Sequence, residues 1–277
     1  MSPIRRIWGQ IWPHLVLVLA SIFALYPVLW VVKTALSPGN TLSPDPNPFP
    51  SEVTLVHLEK LVEAPYFGIQ LWNSIIVALA TTVVGLGLST TAAYAFSRFR
   101  FAGRQQALAA FMLTQIVPGV VMMIPLFILL DAIGLRDSLL GLVLVYATTA
   151  IPFCTWMLKG YFDTIPKELE EAALIDGASR WVLFTKVVLP LSRPALAVTA
   201  LFSFMTAWNE FILAATFMNA ESGYTLPVAL QRYVGAFSTD WGTFAAGAIL
   251  TSIPVMALFF LLQKHLVGGL TAGGVKG

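Results

Sequence analysis

Six long gaps between charged side chains constrain this sequence more tightly than any other feature. They lie between Arg6 and Lys33, Glu63 and Arg98, Arg104 and Asp131, Asp137 and Lys159, Arg193 and Glu221, and Asp240 and Lys264, and only the fifth is interrupted, by Glu210. A helix crosses the roughly 30 Å hydrocarbon layer with about 20 residues, and every gap supplies that many. Backbone groups in lipid must find partners within the protein, which leaves helices or closed barrels. Barrel strands alternate polar and apolar residues, and runs such as Leu139 to Tyr146 do not. Only 11% of the 277 residues are charged and 57% are apolar, whereas a soluble domain carries about a quarter charged residues. The expected class is an all-α polytopic membrane protein with six transmembrane helices.

Lys and Arg set the orientation. With a cytoplasmic N-terminus, twelve of the sixteen cations fall on inner segments, and only Lys33, Lys60, Arg136 and Arg232 fall outside. Both termini are therefore expected in the cytoplasm. Arg5 and Arg6 precede an apolar run, Leu15 to Val32, that is too long for a signal-peptide core and lacks a small-residue cleavage site, so it reads as a retained span. The outer loop after it carries Pro38, Pro44, Pro46, Pro48 and Pro50 and reads as an extended strap. In linear terms, residues 1–68 hold the first helix and this loop. Residues 69–265 hold a five-helix core with an inner loop at about 163–193, and 266–277 form a Gly-rich cytoplasmic tail. A net charge of +2 without basic runs gives no reason to expect nucleic acid. Cys154 stands alone and closes no internal disulfide.

The inner loop contains Ile165-Pro-Lys-Glu-Leu-Glu-Glu-Ala-Ala-Leu-Ile-Asp-Gly177. Pro166 suits a first helical position, the glutamates complement the positive end of the helix dipole, and Gly177 suits the residue after a helix. About eleven residues reach only ~16 Å, so this helix cannot span. Leu169, Ala172, Ala173 and Asp176 share one face, and the alanines would let another surface approach closely.

Glu171-Ala172-Ala173, Gly177, Val187 and Leu189-Pro190 stand at the spacing of the EAA motif and resemble the permease subunits of bacterial ATP-binding-cassette importers; the one departure is Val187 where isoleucine is common. The resemblance covers about Asn73 to Gly277. Phe96-Ser-Arg-Phe-Arg-Phe-Ala-Gly-Arg104 and Ala207-Trp-Asn-Glu-Phe211 are similar to carbohydrate permeases. Gly223-Tyr-Thr-Leu226, Trp241-Gly-Thr-Phe-Ala-Ala246 and the Gly-rich end are similar to MalG-type subunits of maltose importers. What the resemblance implies is a MetI-like permease bundle in the bacterial inner membrane, with both termini and the coupling helix cytoplasmic. Glu171, Ala172, Ala173, Asp176 and Gly177 would couple to an ATPase, and Gly273, Gly274 and Lys276 would enter the interface between two ATPases. The implied partners are a second permease subunit, two cytosolic ATPase subunits and an extracytoplasmic sugar-binding protein. The implied cargo is a sugar, maltose or maltodextrin first and trehalose or another oligosaccharide next; an importer for a different solute is the alternative.

Other features bear on mechanism. Glu210 is the single acidic residue within a span, in the outer part of the bilayer, and with Trp208 and Asn209 forms a candidate substrate path, although three consecutive residues cannot all line one pore. Pro27, Pro118, Pro125, Pro152 and Pro254 fall within spans and permit kinks. There is no Gly-x-x-x-x-Gly-Lys-Ser/Thr loop and no nucleophile or metal constellation, so the chain is not expected to be an enzyme or to hold a cofactor; ATP and Mg would be used by partner subunits. An ion-driven secondary transporter is the rival class, and it calls for acidic residues near the midplane, of which Glu210 is the one off-centre example.

Overall fold

A computed structural model of the chain describes residues 3–42, 45–235 and 238–273. The helices are α1 (Pro3–Leu36), α2 (Val56–Val62), α3 (Phe67–Arg98), α4 (Arg104–Thr114), α5 (Gly119–Ala132), α6 (Leu139–Phe162) and α7 (Lys167–Ile175). After them, α8 (Arg180–Leu183) runs through a π-turn, Phe184–Val188, into α9 (Leu189–Leu191), followed by α10 (Arg193–Trp208), α11 (Ile212–Phe217), α12 (Leu226–Leu230) and α13 (Trp241–Gly273). Among the described residues there is no strand, only one isolated bridge between Val234 and Thr239.

Four helices, α1, α3, α6 and α13, are long and apolar enough to cross a membrane; two bent pairs bring the number to six if each counts as one span. The first pair, α4 with α5, turns by 102°. Pro118 sits at the bend with φ −57° and ψ 132°, an extended residue that starts α5 but could not have continued α4. The second pair, Arg180–Leu191 with α10, turns by 80°. The fifth span, whose charge-free gap between Arg193 and Glu221 is interrupted by Glu210, is not one helix: α10 stops at Trp208 and α11 restarts at Ile212. Pro27, Pro125, Pro152 and Pro254 lie inside α1, α5, α6 and α13. Hydroxyls within the spans, such as Thr82, Thr90 and Thr199, mostly bond the carbonyl four residues back, which satisfies them without a second helix.

The chain forms two compact units, Met1–Phe67 with Leu230–Ile253, and Gly68–Ala229 with Pro254–Gly277. In the first, the strap folds back on the end of α1. Lys33, 5% exposed, donates to the carbonyls of Asp45 and Asn47 at 3.1 and 2.6 Å. His57 is buried, its Nε2 donating to the carbonyls of Ser37 and Gly39, and a Cβ at Gly242 would collide with its ring. Asp240 caps α13, accepting from Thr243 N–H at 3.1 Å, from the Thr243 hydroxyl at 2.8 Å and from Lys60 at 2.6 Å.

In the second unit, α10 packs along α6 and α11 against α5. The helix ends assigned to one side by charge do meet. At the outer ends, Asn73 of α3 donates to the carbonyls of Ser222 and Tyr224. The Asp137 carboxylate accepts from Asn219 N–H. At the inner ends, α3, α6 and α7 share a side-chain network.

Burial works to raise the Asp240 pKa, but the bonds from Lys60 and Thr243 and the Lys60 charge outweigh it and hold the carboxyl below the usual range. A depressed carboxylate contributes stability that is complete above the unfolded value, about 3.9, and lost as pH falls through the folded one. Asp240→Ala is expected to cost about 1 kcal/mol as a lost helix cap. Thermal unfolding of the detergent-solubilised chain should show that deficit at pH 7 and a smaller one near pH 3; an equal deficit at both would contradict the assignment.

Candidate functional site

The short helix α7 is delimited by local chemistry at both ends. Pro166, with φ −57° and ψ 130°, is its N-cap rather than its first helical residue. Proline's ring fixes φ near the helical value in either place, so ψ alone decides, and here it is extended. At the other end Gly177 has φ +84°, and Gly177 N–H and Ala178 N–H donate to the carbonyls of Leu174 and Ala173 at 3.0 Å each. This pair of bonds is a Schellman motif, which needs a left-handed residue at the Gly177 position.

Glu171, Ala172, Asp176 and Gly177 are exposed and Ala173 is half-buried, so the face expected to hold both alanines is split between them. The tip is apolar. Ile175 is 86% exposed and Trp181 68%, with Leu169, Leu174 and Val182 also uncovered. The same segment carries Lys167, Glu168, Glu171, Asp176 and Arg180, which keeps it out of the hydrocarbon layer. An exposed apolar patch on a charged helix outside the spans is the mark of an interaction surface.

The residue that α7 turns inward is Glu170, one of the glutamates expected only to complement the helix dipole. Its carboxylate meets Arg98 Nε at 2.5 Å and accepts from the Tyr94 hydroxyl at 3.3 Å. Arg98 also donates to the Ile165 carbonyl at 3.1 Å and to Ser97 Oγ at 3.0 Å, and Ser97 donates to Asp163 at 2.6 Å. Beneath the pair lies an apolar cluster that includes Tyr94, Leu158, Phe162, Leu183, Phe184 and Val188. Burial works against ionisation of Asp163, yet bonds from Lys159 and Ser97 and the charges of Lys159 and Arg98 hold its carboxyl below the usual range. Helical periodicity carried a hint of this, because Glu170 lies about 160° round the helix from the exposed Glu168.

The interrupted fifth helix explains its own carboxylate. Glu210 accepts from Leu213 N–H at 3.0 Å, Ala214 N–H at 3.1 Å and the Tyr146 hydroxyl at 3.1 Å. It is thus the cap that lets α11 restart inside the span, where free amides would have no water. Trp208 is 1% exposed and stacks on Phe204 at 5.5 Å, so its face is not open to a ligand; Asn209 is exposed at the break. The three residues of the candidate path therefore point to three environments. Near the end, α13 runs to Gly273, while Gly274 and Lys276 lie outside the described residues. No group of three or more metal-binding side chains occurs among the described residues, and Cys154 is buried.

A family model described as the inner membrane component of binding-protein-dependent transport systems matches residues 84–271. The chain is 37% identical to the diacetylchitobiose uptake system permease protein DasC of Streptomyces coelicolor over 99% of both chains. It is 40% identical to the galactooligosaccharides transport system permease protein GanQ of Bacillus subtilis over 99% of this chain and 98% of that one. It is 38% identical to the maltodextrin transport system permease protein MdxG of the same bacterium over 98% of each. Among solved structures, a chain of a bacterial ABC transporter for alginate import superposes with a TM-score of 0.78 at 24% identity, covering 95% of this chain and 98% of that one, a likeness of fold.

Glu210→Ala should destabilise the solubilised chain by about 1–3 kcal/mol for each buried donor it strands, and Glu210→Gln, which keeps one acceptor, by much less. Thermal unfolding of the two variants beside Tyr146→Phe checks this; equal losses for Ala and Gln would deny the capping role.

Proposed function

The chain belongs to the family of inner membrane components of binding-protein-dependent transport systems, and from that premise we propose that it is the permease half of an importer for a short oligosaccharide. The observation that carries the reading is α7, a nine-residue helix with charged flanks, a bare apolar tip and a rigidly capped end. It is the handle by which a separate cytosolic ATPase drives the bundle. The assembly comprises this chain, a second permease subunit, two ATPase subunits that use ATP and Mg, and an extracytoplasmic sugar-binding protein, all at the bacterial cytoplasmic membrane with α7 and both termini inside. The twelve inward cations support that orientation.

Transport proceeds by alternating access. Closure of the ATPase dimer moves the cleft that holds Glu171, Ala172, Ala173, Asp176 and Gly177. The bends at Pro118 and between Leu191 and Arg193, and the break at Asn209 to Phe211, are where the spans yield. Asn209, exposed at that break, offers an amide to sugar hydroxyls, while Glu210 and Trp208 shape the turn from behind it. The Gly273, Gly274 and Lys276 end extends toward the ATPase interface. Maltodextrin is the first candidate cargo, because Gly223 to Leu226, Trp241 to Ala246 and the C-terminal glycines resemble MalG-type subunits. The names of the three relatives above support the wider class of short oligosaccharides.

Ala173→Asp and Gly177→Asp should leave insertion intact and lower uptake about tenfold or more, equivalent to roughly 1.4 kcal/mol of coupling. The check is uptake per assembled complex in proteoliposomes with the ATPases and binding protein, and normal uptake by both variants would refute the handle. A panel of labelled maltotriose, diacetylchitobiose, galactobiose and trehalose decides the cargo, with maltotriose expected to lead. Uptake by the chain alone, without ATP or partners, would overturn the whole reading.

A further inference from the structure

We propose that α3 is the strut that carries displacement of α7 through the membrane to the outer loop at 219–226, with the Arg98–Glu170 pair as its inner joint. The proposal rests on the reading of α7 as the ATPase-coupled helix. α7 is attached to the spans in three ways. It follows α6 directly in the chain, it packs on α8 and the π-turn that lead to α10, and it reaches α3 through side chains. The third attachment joins residues 72 positions apart and owes nothing to chain connection.

The joint is stiff for physical reasons. The side chains of Arg98 and Glu170 are 7% and 10% exposed, so the pair cannot slip without stranding a charge away from water. The guanidinium fork fixes direction as well as distance, because its other nitrogens are held by the Ile165 carbonyl and Ser97. Arg98 thus grips α7 both at its entry and one turn in. Arg180 lies over the Phe99 ring at 5.2 Å, and Phe99 meets Tyr94 edge-on, so the end of α3 is held from the α8 side as well.

The other end of α3 is fastened in the same manner. Gln70 and Asn73 donate to the carbonyls of Glu221, Ser222 and Tyr224, and Ser74 Oγ accepts from Leu226 N–H at 2.6 Å. From end to end, both joints included, α3 runs 32 residues without a proline, whereas α1, α6 and α13 each contain one or more. At 1.5 Å per residue it is ~48 Å long, enough to join the two faces. A helix free of proline and pinned by buried polar bonds at both ends moves as a rod. Arg98, Glu170 and Asn73 are positioning residues in this scheme.

The test uses the complete transporter in nanodiscs, with two reporters. Ile175→Cys reports crosslinking to the ATPase, and Ser222→Cys, at an exposed position, reports labelling by a hydrophilic maleimide with and without ATP and vanadate. Unmodified joints should give a crosslink and a severalfold ATP-dependent change in labelling at position 222. Glu170→Gln and Asn73→Ala should each keep the crosslink and abolish the ATP-dependent change, and Glu170→Asp should recover at least half of it. The proposal is overturned if Glu170→Gln or Asn73→Ala crosslinks normally and still transmits the ATP response, or if intact joints show none. Loss of crosslink and response together in Glu170→Gln, with Asn73→Ala unaffected in both, makes the pair a folding element and also overturns it. Absence of the crosslink in the parent complex strikes the coupling reading itself.

Discussion

A backbone amide in hydrocarbon has no water to turn to, and the architecture follows from that constraint. It makes every span helical and allows a helix to break only where a side chain or a neighbouring turn supplies the lost partner. Glu210 shows the cost and the solution together. A carboxylate within a span is expensive, but here it accepts two amides of α11 and the Tyr146 hydroxyl, so the fifth span can be interrupted without orphaning its second half. At Pro118 the absence of an N–H at the first turn of α5 serves the same end by a cheaper route. The alternating access proposed for this chain would use such breaks, at defined places.

The charges expelled from the lipid collect at the helix ends, and there they become joinery. On the inner side Lys159, Asp163, Ser97, Arg98 and Glu170 form one connected set that ties the ends of α3 and α6 to α7. On the outer side of the same unit Gln70, Asn73, Ser74 and Asp137 hold the loop at 219–226 by its backbone. Between these layers the packing uses small side chains, with Gly85 of α3 close to Ser203 and Ala150. Polar ends are specific in angle, whereas apolar midsections tolerate sliding. That division suits the rearrangement of helices proposed for transport.

The sequence by itself determined what depends on near neighbours along the chain. Charge-free gaps located the spans because exclusion from lipid is a property of each side chain alone. The bounds of α7 were legible to within one residue because a proline start and a left-handed glycine stop act within a single turn. The family was legible for the same reason, since its motif is a local spacing. Tertiary structure alone decided the rest. Nothing near Glu210 announces Tyr146, 64 residues away, and no Gly or Pro marks the break at Asn209. Nothing near Glu170 announces Arg98, 72 residues away. Each of these is a pairing between distant segments, fixed only when buried polar groups on one helix must find partners on another, and no local pattern encodes which partner that will be.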